Sequence, residues 1–195
     1  RHKKSGSTAT GVEVNVWATP AQSTAALDFA LDHAIKAIEF FDDYFGVPYP
    51  LPKSDHVALP DCSSGAMENW GLITYREMAL LADPTTTTIG SKQYIAEVVS
   101  HELSHQWFGN LVTMKWWNDL WLNESFATLM ACVAVDAKHP EWNTWLDFAG
   151  NESIMALSRD AIDGMQPVRV EVNHPDKIGT LFDGAIVYAK GARLK

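Results

Sequence analysis

His101-Glu102-Leu103-Ser104-His105, with eighteen residues separating His105 from Glu124, is the stretch on which the rest of the chain turns. On a helix, residues four apart share a face, so His101 and His105 can present two imidazoles to one metal ion. Glu102, beside them, can reach a water at that metal. Two imidazoles leave a catalytic zinc site one protein ligand short, since such sites use three ligands and an open position. Glu124 is the best candidate for the third, because the gap lets one helix end and a second return. The surroundings read as helix: Tyr94, Ile95, Val98, Val99, Leu103, Trp107 and Phe108 recur at helical spacing, and Gly109-Asn110 stops the run. The expectation is one Zn2+ ion held by His101, His105 and Glu124.

Upstream, Asp55 to Leu59 reads as a strand, and Pro60 to Gly65 as a turn that delivers Gly65-Ala66-Met67-Glu68-Asn69-Trp70-Gly71. Leu72, Ile73 and Tyr75 then resume an extended pattern, and a threonine-rich loop leads to the metal helix at about Ser91. A strand beside a metal helix can offer its backbone to an extended peptide. Nearer the start, residues 1–10 are polar and read as a loose amino-terminal segment, leaving 11–195 as the folded part. Val12, Val14 and Val16 alternate as a half-buried strand. Leu27, Leu31, Ile35, Ile38, Phe41 and Phe45 make a helical stripe ended by Gly46 and Pro48, with His33 and Asp42 on its solvated side.

Downstream, a second helix starting at Asn118 or Asp119 carries Trp121, Leu122, Glu124, Phe126 and Leu129. Another begins at Pro140 and continues toward Leu157, with most of the tryptophans of this region expected in the core. Val168, Val170 and Val172 alternate as a short extended piece. Thr180 with Asp183 resembles a capping box for a final helix holding Leu181, Ile186, Tyr188, Ala189 and Leu194. That helix is still running where the sequence stops, which reads as part of a longer domain.

A chain of 195 residues with 47% hydrophobic content can bury one sizeable core. The formal charge of −9, with no basic cluster beyond Arg1-His2-Lys3-Lys4, argues against nucleic acid and anionic membrane as main partners. Cys62 and Cys132 read as two reduced thiols, the second buried on a helix. There is no run long and apolar enough to suggest a membrane segment, and the expected compartment is cytoplasmic.

Four separated blocks carry a resemblance. Gly65-Ala66-Met67-Glu68-Asn69 is followed in order by His101 to His105 with Gln106-Trp107-Phe108-Gly109-Asn110, by Trp116-Trp117 with Trp121-Leu122-Asn123-Glu124, and by Tyr188-Ala189-Lys190-Gly191. Together they resemble the zinc aminopeptidases of the aminopeptidase N family, its bacterial members in particular. The resemblance implies an α+β fold, a thermolysin-like zinc peptidase domain with a small mixed sheet and active-site helices, here truncated. It makes His101, His105 and Glu124 the zinc ligands, Glu102 the general base and acid, and Tyr188 the hydroxyl that stabilises the oxyanion. Glu68 becomes the carboxylate that holds the substrate's free amino terminus, with Gly65, Ala66, Met67 and Asn69 along the substrate-aligning edge. Lys190 and Gly191 receive no catalytic role. Two departures are Cys62, where relatives often carry an aromatic residue, and Ser125, where glycine is common.

The implied activity is hydrolysis of the amino-terminal peptide bond of peptides with a free amino terminus. Members of this family are multidomain, so missing parent domains would complete the substrate chamber, and the isolated segment could be weak or inactive. The alternatives are a zinc endopeptidase, which would cut a blocked peptide, and a noncatalytic zinc- or peptide-binding fragment, which would not turn over.

Overall fold

The computed structural model describes residues 1–194. Their packing forms two compact units, Arg1–Trp107 and Phe108–Lys195, where composition alone favoured one core.

In the first unit a five-stranded sheet has the order β1-β2-β3-β5-β4. The strands are β1 His2–Ser7, β2 Glu13–Ala18, β3 Lys53–Leu59, β4 Ala66–Met67 and β5 Leu72–Arg76. The sheet is mixed: β2 runs parallel to β3 and β3 to β5, while β1 and β4 lie antiparallel at the two edges. Central strands β2 and β3 are buried on both faces, as a sheet interior requires. The segment expected to be loose is therefore strand β1, paired from His2↔Ala18 to Ser7↔Glu13. Its polar residues hide a strand because the partner β2 supplies the apolar drive. Gly6 lets the neighbouring helix approach, since a Cβ there would lie 2.7 Å from Ile35 Cδ1.

That helix, α1 Asp28–Phe45, ends where Gly46 adopts φ 65° and its amide reaches back to Asp42 O. His33 is buried rather than solvated, with Nε2 2.9 Å from Ser100 Oγ. Asp42 likewise has a structural task, accepting the Tyr49 amide at 2.7 Å. Helix α2 Ile89–His105 starts at the Thr88 cap, two residues before the expected position, and stops at Gln106. Trp107 and Phe108 thus lie beyond the helix that their spacing suggested. Trp107 instead plugs an aromatic cluster of Phe41, Phe45 and Tyr49, its indole donating to Val47 O at 2.8 Å.

In the second unit α3 Leu120–Lys138 is followed by α4 Thr144–Gly150 and α5 Glu152–Asp160. The single helix expected from Pro140 is broken at Asn143, whose φ is 53°, and again at Asn151. Residues 168–172 form no strand: Val172 is fixed by side chains, its amide donating to Asn118 Oδ1 at 2.6 Å and its carbonyl accepting the Trp116 indole at 2.7 Å. Leu120, Val172 and Leu181 form a core cluster there, with Met114, Trp117, Val170 and Ile178 packed against it. Trp116, Trp117, Trp121, Trp142 and Trp145 are half-buried or exposed rather than core; Trp107 alone of the described tryptophans is fully buried.

The last segment is a π-helix, Gly184–Lys190, running into the short α6 Gly191–Arg193. Its cap is Asp183, which accepts the Ala185 amide at 2.9 Å, whereas the Thr180 hydroxyl bonds Lys177 O and caps nothing here. Cys62 is half-buried and Cys132 is buried on α3. Among the described residues, no helix is long and apolar enough to cross a membrane.

Candidate functional site

The first unit brings together the paired imidazoles, Glu102 and the whole 65–69 block. His101 and His105 lie in the last turn of α2, one above the other, with Nε2 atoms 3.1 Å apart. Two nitrogens bound to one tetrahedral zinc at about 2.0–2.1 Å would stand about 3.3 Å apart, so the pair already has nearly the separation that this metal imposes. His105 is buried and His101 half-buried, which leaves one flank of the pair accessible. Borderline-soft imidazole nitrogens with a carboxylate oxygen are a donor set suited to zinc. Glu102 is buried on the same helix.

Beneath this helix end lies a buried polar network. His56 Nδ1 is 2.9 Å from the Tyr75 hydroxyl, and its Nε2 is 3.1 Å from Ser54 Oγ. Burial pushes the His56 imidazole down to about 4, so it is neutral near pH 7. Burial likewise lifts the Tyr75 hydroxyl well above its ordinary range, and the negative charge of Glu102 adds to the effect.

Ala66 and Met67 form β4, a two-residue edge strand paired only to β5. Gly65 extends that pairing, its carbonyl accepting the Arg76 amide at 2.8 Å. Half-buried Glu68 follows at once, and Asn69 opens a tight turn in which the Leu72 amide donates to Asn69 O at 2.9 Å. Gly71 sits at the third position of that turn with φ 71°, a conformation that disfavours any residue with a Cβ. Its carbonyl accepts the Asp55 amide at 3.0 Å and its own amide donates to Gln106 Oε1 at 3.0 Å. Gln106 Nε2 in turn donates to Glu68 O at 3.1 Å. Gln106 was legible as a motif residue only; what its side chain does appears once the turn is in place.

The second unit brings together Glu124 and the Tyr188 segment. Glu124 is buried in the first turns of α3, its carbonyl accepting the Thr128 hydroxyl at 2.8 Å. Ser125, the next residue, donates its hydroxyl to Val187 O at 2.5 Å. Val187 immediately precedes half-buried Tyr188, so one buried hydrogen bond links the neighbours of two expected site residues. Gly191 is required beside it, because a Cβ there would stand 1.8 Å from Ser125 Oγ. Ser125 therefore supplies a tie between two helices that glycine at its position could not. π-helical stretches recur at functional sites because they re-aim side chains. Lys190 meanwhile pairs with Asp160 at 2.5 Å, a structural contact.

A helix bearing His-Glu-x-x-His with converging imidazoles belongs to the metallopeptidase class. The Peptidase family M1 domain matches residues 29–195, and the chain belongs to that family. It is 65% identical over 191 residues to aminopeptidase N of Lactococcus lactis subsp. cremoris, covering 98% of this chain and 23% of that protein. Aminopeptidase N of Lactobacillus delbrueckii subsp. lactis is 57% identical over 187 residues, 96% of this chain and 22% of that protein. Aminopeptidase M1-A of Oryza sativa subsp. japonica is 52% identical over 185 residues, covering 95% and 21%. The chain thus spans under a quarter of the length of these relatives.

Proposed function

We propose that the full-length protein is a zinc aminopeptidase, releasing residues one at a time from the free amino terminus of peptides. His101, His105 and Glu124 would hold one zinc ion, each offering one ligand atom. When bound, zinc supplies Lewis acidity toward the scissile carbonyl and the attacking water. Glu102 takes the water's proton as attack proceeds and passes it to the leaving amine, serving as general base and then general acid. The Tyr188 hydroxyl donates to the carbonyl oxygen as negative charge develops there. Glu68 pairs with the substrate ammonium, and the outer edge of β4, with Gly65, Ala66, Met67 and Asn69, aligns the peptide backbone as an added strand.

The observation that carries this reading is that one packed unit holds both the paired imidazoles and a half-buried carboxylate at the end of an edge strand. A carboxylate fixed near the metal selects a charged amine and leaves a blocked or internal peptide without a partner for it. The relatives' names, aminopeptidase N and aminopeptidase M1-A, point the same way. The low cysteine content, Cys62 and Cys132 alone, suits a reducing compartment such as the cytoplasm. Domains beyond this chain would complete the substrate chamber.

The test is a time-resolved mass-spectrometric digest of one peptide in free and amino-terminally acetylated form by the full-length enzyme. Sequential loss of single residues from the free peptide alone is expected. Rapid internal cleavage of both would make it an endopeptidase.

A further inference from the structure

Gln106 follows the ligand His105 directly and is wholly buried, yet no step of the chemistry uses it. A buried carboxamide must find partners for both ends, and here both are backbone groups of one turn: the Gly71 amide on Oε1 and the Glu68 carbonyl on Nε2. The two partners also fix which end is oxygen, since an amide can only donate and a carbonyl only accept. The far leg of the turn has other fastenings, Gly71 O to the Asp55 amide and Asn69 O to the Leu72 amide. On the near leg, Asn69 Nδ2 donates to Met67 O at 3.4 Å and to Thr74 Oγ1 at 3.3 Å. The β4 ladder ends at Met67, and the Glu68 carbonyl is held by Gln106 from the end of the metal helix.

We propose that Gln106 is a positioning residue that sets the distance between the substrate's ammonium and its scissile bond, by pinning the Glu68 backbone to the residue next to His105. This rests on Glu68 being the amine anchor. One residue of substrate must span the gap from Glu68 to the metal, so a slip of the turn misplaces the carbonyl even when the amine still binds. A misplacement of about 1 Å costs on the order of 100-fold in rate.

The experiment uses full-length enzyme and the same free and acetylated peptides. Gln106→Met keeps the volume and removes both hydrogen bonds; Gln106→Glu keeps an acceptor for Gly71 but, ionised, no donor for Glu68. Expected for Gln106→Met are zinc at wild-type stoichiometry, kcat on the free peptide reduced by roughly 10- to 100-fold with a smaller change in KM, and a matching loss of discrimination against the acetylated peptide. Gln106→Glu should fall in the same direction. Faster amide exchange confined to the 65–72 peptide should accompany both. If Gln106→Met does not yield folded, zinc-loaded enzyme, Gln106→Glu decides by the same criterion. Wild-type discrimination that survives in the folded variant, or an equal loss on both peptides, overturns the proposal alone. Wild type that cuts both peptides alike overturns the amine-anchor reading, and this proposal with it.

Discussion

Replacing Gly191 by alanine puts the Ser125–Val187 tie under direct load. The added Cβ would lie 1.8 Å from Ser125 Oγ and 2.7 Å from Ser125 Cβ, so the serine side chain has to swing away. Two costs follow: overpacking of a buried contact, about 1–3 kcal/mol, and a buried Val187 carbonyl left without its donor, about 1–3 kcal/mol. Alanine's helix preference over glycine returns about 1 kcal/mol, because Gly191 has ordinary helical φ and ψ of −64° and −41°. The net expectation is a loss of about 1–5 kcal/mol, measured by urea unfolding followed through tryptophan fluorescence. The sharper test is a cycle with Ser125→Gly. Alone, that change removes the hydrogen bond and destabilises; in the Gly191→Ala background it removes the clash and should recover stability. Gly191→Ala with unchanged stability, or two changes that simply add, would refute the proposed contact.

Three further outcomes are expected. His56 is held near 4 when folded against an ordinary 6.5, so the unfolded chain binds more protons between those values. Its contribution is complete above pH 6.5 and is lost as pH falls toward 4, by up to about 3 kcal/mol, a slope that His56→Gln should flatten in pH-dependent unfolding. Glu102→Gln in the full-length enzyme should keep stoichiometric zinc by metal analysis while turnover falls about 10²- to 10⁴-fold; comparable turnover would remove Glu102 as the proton carrier. Tyr188→Phe should lower kcat by about 10²- to 10³-fold with little change in KM, and a change in KM alone would make the tyrosine a recognition residue.

Elements whose side chains alternate or recur with their own burial were readable from sequence. The α1 stripe with its Gly46 stop carries its signal locally; the Val14–Val16 strand was legible as a strand, though it is buried on both faces, Asn15 included, rather than half-buried. The paired histidines were readable for the same reason, because helical spacing alone puts them together. What escaped depends on distant partners. Strand β1 is polar and exists because β2 lies beside it. Val168 to Val172 alternates like a strand, but side chains of Trp116 and Asn118 take the hydrogen bonds that a ladder would have used. His33 lies on an otherwise ordinary helix face and is buried because Ser100, 67 positions away, meets it. Gln106 and Ser125 act through backbone groups 35 or more positions distant, which no local pattern announces.

The π-helix at Gly184–Lys190 also bears on which edits of the chain length this region can take. A π turn accommodates one residue more than an α turn, so deleting a single residue there would let the segment relax into ordinary α-helix. Side chains past the deletion would keep nearly their direction, since a π turn and an α turn each complete one circuit of the axis, whereas those inside the segment, Tyr188 among them, would be redistributed around it. The hydroxyl of Tyr188 would point elsewhere while composition, hydropathy and helical character stayed almost the same. The turns near Asn143 and Asn151, by contrast, carry no proposed site residue themselves. Length variants sampled across the chain should therefore be tolerated there and lost between 184 and 191, in a screen that reads activity and folding separately.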